Sequence, residues 1–324
     1  MASHISRAVE IGPMYERILL PLDGSRLAEE ALPYVRFLGQ HLRLPIQLLR
    51  VVEPAPPELG LKFNPAFDSD GATRHIQIVA GSYLNGVQKR LQASGVVSSY
   101  TTSTGSPAFS IVEEAAKGPA TLIAIATHGH SGMTTGMMGG VTGKVIQTTT
   151  KPIFVVPSRD PNGRAPDVSL STLIVALDGS YLSEQSLPHV AALAKPLGLR
   201  VVLLRVVPTS WDYYYFMDHN VVHYGDFSKD AEDQARQYLY KVGKKMRELG
   251  LDAVEELVTH GQPADAIVGL ARDFPGSVVA MTAHGHSGVG RWVMGSVTDR
   301  VVRHTQTPVL VVRATGGSSK VTSV

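Results

Sequence analysis

Two stretches of this chain carry residues suited to holding an anion. Residues 126–142 read ATHGHSGMTTGMMGGVT and residues 282–298 read TAHGHSGVGRWVMGSVT. Each follows an apolar run and precedes helical periodicity, so the glycines fall in a loop between a buried strand and a helix. The first-turn amides of a helix have no intrahelical acceptor, and the helix dipole adds about half a positive charge there. Phosphate oxygens satisfy both needs. Gly129 and Gly285 come directly after the strand, where a Cβ would hinder close approach of a ligand. Gly139-Gly140 and Gly295-Ser296 open the next helix, with Ser296 placed to cap it and to reach a phosphate oxygen. Arg291 adds a cation to the second loop, where the first has Thr135. The same glycines would also serve a tight turn and close helix–strand packing. Two copies at matched spacing favour the ligand, and the chemistry points toward a nucleotide.

Other chemistries fit less well. His128-x-His130 and His284-x-His286 place imidazoles at i and i+2, a spacing that suits zinc. The chain has no cysteine, and the only acids expected nearby are Asp23 and Asp178, so hydrogen bonds within the turn are expected rather than a metal. Ser and His in HGHSG do not make a G-x-S-x-G elbow. No carboxylate pair recurs either, so no catalytic residue is assigned. GGVTGKV at 139–145 resembles a phosphate loop of the G-x4-G-K-[ST] type only superficially, because Val145 follows Lys144 and Met138 stands where its first glycine should be. Asp23 and Asp178 each end an apolar run and precede Gly-Ser. Beyond a strand's carboxyl end, such an acid accepts hydrogen bonds from a ribose or base, or supports a helix cap; both readings stand.

These residues must be positioned by a duplicated framework. Gly285 minus Gly129 and Pro308 minus Pro152 are both 156, and Asp178 minus Asp23 is 155. So constant an offset over so long a distance marks two copies of a domain. In each copy short apolar runs alternate with helical periodicity, the pattern of a parallel α/β sheet covered on both faces. Strands are predicted at about 17–22, 46–52, 97–102, 122–127 and 153–156, then 173–177, 200–207, 254–259, 278–282 and 309–312. Helices are predicted after each Asp-Gly-Ser, kinked at Pro33 and Pro188, and at about 74–94 and 229–249, ending at Gly95 and Gly250. Residues 158–169 read as a linker and the last ten as a polar tail. A Pro-rich segment after the second strand of the first copy is replaced in the second by TSWDYYYFMDHNVVHY, suited to covering a neighbouring surface.

The 324 residues are 44% hydrophobic and 18% charged with a formal charge of +2, which does not suggest a nucleic-acid groove. No apolar stretch approaches the roughly 18 residues of a membrane span. MASHISRAVEIGPMYER lacks a leader's apolar core, and a cytoplasmic location is expected.

At these residues the chain resembles the universal stress protein family in a tandem two-domain form, over 14–157 and 170–313. The family motif is G-x2-G-x9-G-[ST]. Gly129 and Gly139, and Gly285 and Gly295, match its second and third glycines. The first is Ala126 in one copy and Thr282 in the other, and the motif's hydroxyl is kept as Ser296 but lost at Gly140. Asp23 and Asp178 match the family's first-strand acid, and Val51 and Val206 match the position against adenine. The resemblance implies an adenine-nucleotide crevice, for ATP with Mg2+, in each copy. It would be lined by those residues together with His128, Val141, Thr142, His284, Arg291, Val297 and Thr298. It implies two flavodoxin-like, Rossmann-like domains, each a five-stranded parallel sheet in the order 3-2-1-4-5. The apolar last strands, PIFVVP and PVLVVR, would be unpaired edges, so the two copies are expected to join through them as a pseudo-dimer, with a homodimer beyond that. The expected role is a stress-response sensor or regulator with at most slow ATP hydrolysis and an unidentified protein partner. The alternative is a degenerate scaffold that binds no nucleotide and acts through protein contacts.

Overall fold

The computed structural model describes residues 14–54, 69–128, 138–158, 168–208, 224–283 and 294–314. The linker centre, the tail, and almost all of the Pro-rich and aromatic segments lie outside the described residues.

In the first half, β1 (Arg17–Pro21) leads through α1 (Arg26–Glu29) and α2 (Leu32–Leu42) to β2 (Ile46–Val52). Then follow α3 (Ser69–Ala93), β3 (Ser98–Thr104), α4 (Pro107–Ala116), β4 (Thr121–Ala126), α5 (Gly140–Thr148) and β5 (Ile153–Val156). The second half repeats this plan: β6 (Thr172–Ala176), α6 (Tyr181–Glu184), α7 (Leu187–Leu197), β7 (Arg200–Val207) and α8 (Tyr224–Glu248). It continues with β8 (Val254–His260), α9 (Pro263–Asp273), β9 (Ser277–Thr282), α10 (Ser296–His304) and β10 (Val309–Val312). The predicted strands all form, most within a residue of their expected ends. The long helices start earlier than predicted, at Ser69 and Tyr224. Gly95 and Gly250, at φ +77° and +84°, follow them in the left-handed conformation expected of a terminating glycine.

Pro33 and Pro188 do more than kink a helix. Each lies in the first turn of a new one, after a break that follows Glu29 or Glu184. Proline lacks the N–H for the i−4 bond and its ring crowds that carbonyl, so the preceding helix cannot run through it.

The order 3-2-1-4-5 holds in each half, but the strands form one ten-stranded sheet, β3-β2-β1-β4-β5-β10-β9-β6-β7-β8. Within each half every pairing is parallel. The halves meet through an antiparallel ladder in which Val155 faces Val309, Phe154 faces Leu310 and Ile153 faces Val311. The pseudo-dimer expected from the apolar last strands is therefore present. Composition follows position in the sheet. The central strands β4, β5, β9 and β10 are buried at every residue, whereas the outermost strands carry SSYTTST and VEELVTH. Polar outer strands discourage further edge pairing.

One face of the sheet is covered by α2, α3, α7 and α8, through residues such as Leu38, Leu84, Leu193 and Leu239. The other is covered by α4, α5, α9 and α10, through Ile111, Val145, Ile267 and Val301. No helix among the described residues is long and apolar enough to cross a membrane.

The junction is not chemically symmetric. Tyr34 packs its ring 6.3 Å from that of Phe154, while the equivalent position in the second half is His189, whose Nδ1 lies 2.8 Å from the Tyr15 hydroxyl. Arg313 Nη1 reaches across to donate to the Gln147 carbonyl, at 2.7 Å, at the end of α5. Burial lowers the His189 pKa from its ordinary 6.5 to about 4, since the imidazolium would be desolvated. The folded state thus favours neutral His189. That stability is fully present above about pH 6.5 and is lost as pH falls through about 4. Urea unfolding across this window should show a shallower acid loss for His189→Gln than for the wild type, by on the order of 3 kcal/mol. Parallel pH profiles would assign the acid sensitivity to other groups.

Candidate functional site

The chain leaves β1 toward β2 on one side of the sheet, while β4 lies on the other side of β1. The loops after β1 and β4 therefore diverge and leave a crevice at the strands' carboxyl ends. The second half has the same crevice between β6 and β9.

One wall is the Asp-Gly-Ser turn. Asp23 Oδ1 accepts from the Ser25 amide at 2.9 Å and from its hydroxyl at 2.6 Å. Ser25 Oγ in turn accepts from the Ala28 amide at 3.1 Å and caps α1. Asp178, Ser180 and Ser183 repeat this, at 2.9, 2.6 and 3.1 Å. The serine is the cap; the aspartate organises the turn that presents it. Val51 and Val206, half-buried, lie near the ends of the neighbouring strands on the face covered by α4 and α9.

The other wall is the end of β4 and the start of α5. Ala126 is buried, and its carbonyl accepts the Thr142 hydroxyl at 2.8 Å. Thr298 donates to the Thr282 carbonyl in the same way, at 2.9 Å. These threonines tie the helix to the strand end. His128 Nδ1 lies 3.1 Å from the Thr127 hydroxyl, and its amide donates to Ser158 Oγ at 3.2 Å. One of these contacts is to its chain neighbour and the other to the residue that follows β5 by two positions. Gly129, His130, His284, Gly285, His286 and Arg291 lie outside the described residues.

Gly139 is required by proximity. Its amide donates to the Thr127 carbonyl at 2.9 Å, and a Cβ there would lie 2.9 Å from that same oxygen. Gly295 makes the equivalent bond to Ala283, at 2.8 Å. Gly139 and Gly295 are the N-caps of α5 and α10, and neither helix has a side-chain cap. This corrects the cap expected of Ser296. The bond from Gly295 to Ala283 holds Gly295 in the capping position, so Ser296 becomes the first helical residue, exposed. Val141 is exposed beside Gly140, and Val297 is half-buried. Among the described residues no side chain accepts from the first-turn amides of either helix, the arrangement that receives an anion. Among the described residues no group of three or more His, Asp or Glu converges as a metal site.

Behind each Asp-Gly-Ser turn stands a residue that motif reading passed over, Arg50 on β2 and Arg205 on β7, with Tyr83 and Tyr238 beside them. The internal repeat carries the signal: both pairs recur at the 155-residue offset of Asp23 and Asp178.

Comparison with known proteins agrees with the duplicated architecture. A family model described as the universal stress protein family matches residues 14–157 and 170–313. A universal stress protein of Methanocaldococcus jannaschii is 26% identical over 44% of this chain and 81% of its own length. One from Bacillus subtilis is 28% identical over 44% of this chain and 97% of its own. A universal stress protein structure from Archaeoglobus fulgidus superposes with a TM-score of 0.68 at 19% identity, covering 92% of this chain and 98% of that one. At that identity the likeness concerns the fold.

The two glycines that open α5 should respond differently to substitution. Gly139→Ala forces a methyl against the Thr127 carbonyl and should cost about 1–3 kcal/mol in thermal or urea unfolding. Gly140→Ser meets no atom within 4 Å of its new Cβ, and should change stability by no more than about 0.5 kcal/mol. Equal losses would contradict the close approach described for Gly139.

Proposed function

Because the chain belongs to the universal stress protein family, we propose that it binds an adenine nucleotide, ATP with Mg2+, in the crevices at the strand ends and acts as a sensor or regulator. The observation that carries this reading is the pair of helix N-termini with no side-chain cap, each facing an Asp-Gly-Ser turn across the strand-order reversal. In each half the first-turn amides of α5 or α10 receive the phosphates. The base lies against Val51 or Val206, and Asp23 or Asp178 accepts from the ribose or the base. The second crevice is the stronger, since Ser296 adds an exposed hydroxyl where the first half has Gly140. In this reading hydrolysis is at most slow. A cytoplasmic location and regulation through a protein partner complete the reading.

The scaffold alternative draws on one feature, the side chains of Ala126 and Thr282 at the family's first glycine position. If the ligand's ribose lies against that backbone, each Cβ narrows the space.

Calorimetric titration with Mg-ATP, on protein freed of carried-over nucleotide, separates the two. Micromolar binding is expected, with Gly295→Val abolishing it in the second half. Ser296→Ala should weaken it about ten- to a hundredfold, as expected for one hydrogen bond to a charged group. No heat from the wild type would establish the scaffold reading. Retained affinity in Gly295→Val would remove the phosphate assignment at α10.

A further inference from the structure

Each Asp-Gly-Ser turn has a guanidinium pressed against it. A Cβ on Gly24 would collide with Arg50 Nη1, and one on Gly179 with Arg205 Nη1. The two glycines have φ +81° and +82°, so the left-handed backbone disfavours a side chain there, and the guanidinium fills the space a Cβ would take. Each guanidinium also lies over a ring: the Arg50 Cζ stands 5.7 Å from the Tyr83 centroid, and the Arg205 Cζ 5.7 Å from that of Tyr238. Among the described residues, Arg50 Nε and Arg205 Nη1 are buried with no hydrogen-bond acceptor. Desolvation lowers the Arg205 pKa, and the nearby Asp178 carboxylate opposes this.

Burying part of a guanidinium without an acceptor is unfavourable, yet the same placement occurs in both halves while much around it has diverged. Both arginines share one arrangement, a planar cation wedged between an aromatic face and a glycine peptide. From that glycine the geometry runs directly to the ligand wall, because the next residue, Ser25 or Ser180, donates twice to the aspartate Oδ1.

We propose that Arg50 and Arg205 are positioning residues of the two crevices: each clamps its Asp-Gly-Ser turn against Tyr83 or Tyr238 and so fixes where the Asp23 or Asp178 carboxylate meets the ligand. The ligand part of this rests on the nucleotide reading above. The clamp itself does not.

The experiment uses the full chain carrying Arg205→Met and, separately, Tyr238→Leu, which removes the platform and keeps the cation. Amide hydrogen exchange without ligand reads the clamp. Ser180 should exchange about tenfold faster in either variant, while Val175 and Ala280 in the sheet keep their wild-type rates. Titration with ATP, 2′-deoxy-ATP and the analogue lacking the 6-amino group reads the consequence. Discrimination against whichever analogue lacks the donor seen by Asp178 should shrink about tenfold. An unchanged Ser180 rate overturns the clamp. An equal loss of affinity for all three nucleotides overturns the positioning role. If the wild type binds no nucleotide, the nucleotide reading fails by itself, and the exchange rates still decide the clamp.

Discussion

Parallel strands side by side can be joined only by a crossover that returns to the same end of the sheet. Every loop leaving a strand in one half of this molecule therefore leaves from the same end, and the loops part only where the strand order reverses. That reversal lies between β1 and β4, and again between β6 and β9. The Asp-Gly-Ser turn and the glycine-capped helix come from the two diverging loops. Their meeting across a gap is a result of connectivity, before any side chain is considered.

What the crevice can hold depends on how close its walls come, and glycines set that distance in two different ways. Gly24 and Gly179 are needed for their backbone conformation, and a cation fills the space behind them. Gly139 has ordinary dihedrals and is needed because a carbonyl sits where its Cβ would be. Gly140 is needed for neither, which makes it the position at which the halves can differ without a change of fold.

The central strands were legible because burial on both faces demands near-continuous apolar runs, such as LIAIA at 122–126 and LIVAL at 173–177. The order within each half came with the family resemblance, whereas the joining of the last strands followed from burial, since fully apolar edges need a partner. Boundaries set by local backbone were less legible. The break at Pro33 was expected as a bend, because periodicity continues across it. The cap at α10 was assigned to Ser296 by residue type, whereas the bond from Gly295 to Ala283 decides it. Arg50 and Tyr83 lie 33 positions apart, and nothing in either one's neighbourhood announces the other. Only a glycine held at positive φ on the other side of the guanidinium makes the pair meaningful. Several loop residues that drew attention first, Gly129, His284 and Arg291 among them, lie outside the described residues, so the site rests on the strand ends and helix starts around them.

The antiparallel ladder between β5 and β10 turns the second half over relative to the first. The two crevices consequently open at opposite ends of the sheet and cannot share one ligand. Two separate chains joined this way would come apart on dilution and would always carry identical sites. Here the covalent link keeps the local concentration of each half around the other high whatever the abundance of the protein. A change in one crevice also leaves the other's sequence untouched. The molecule can therefore carry two crevices of unequal character in a fixed one-to-one ratio.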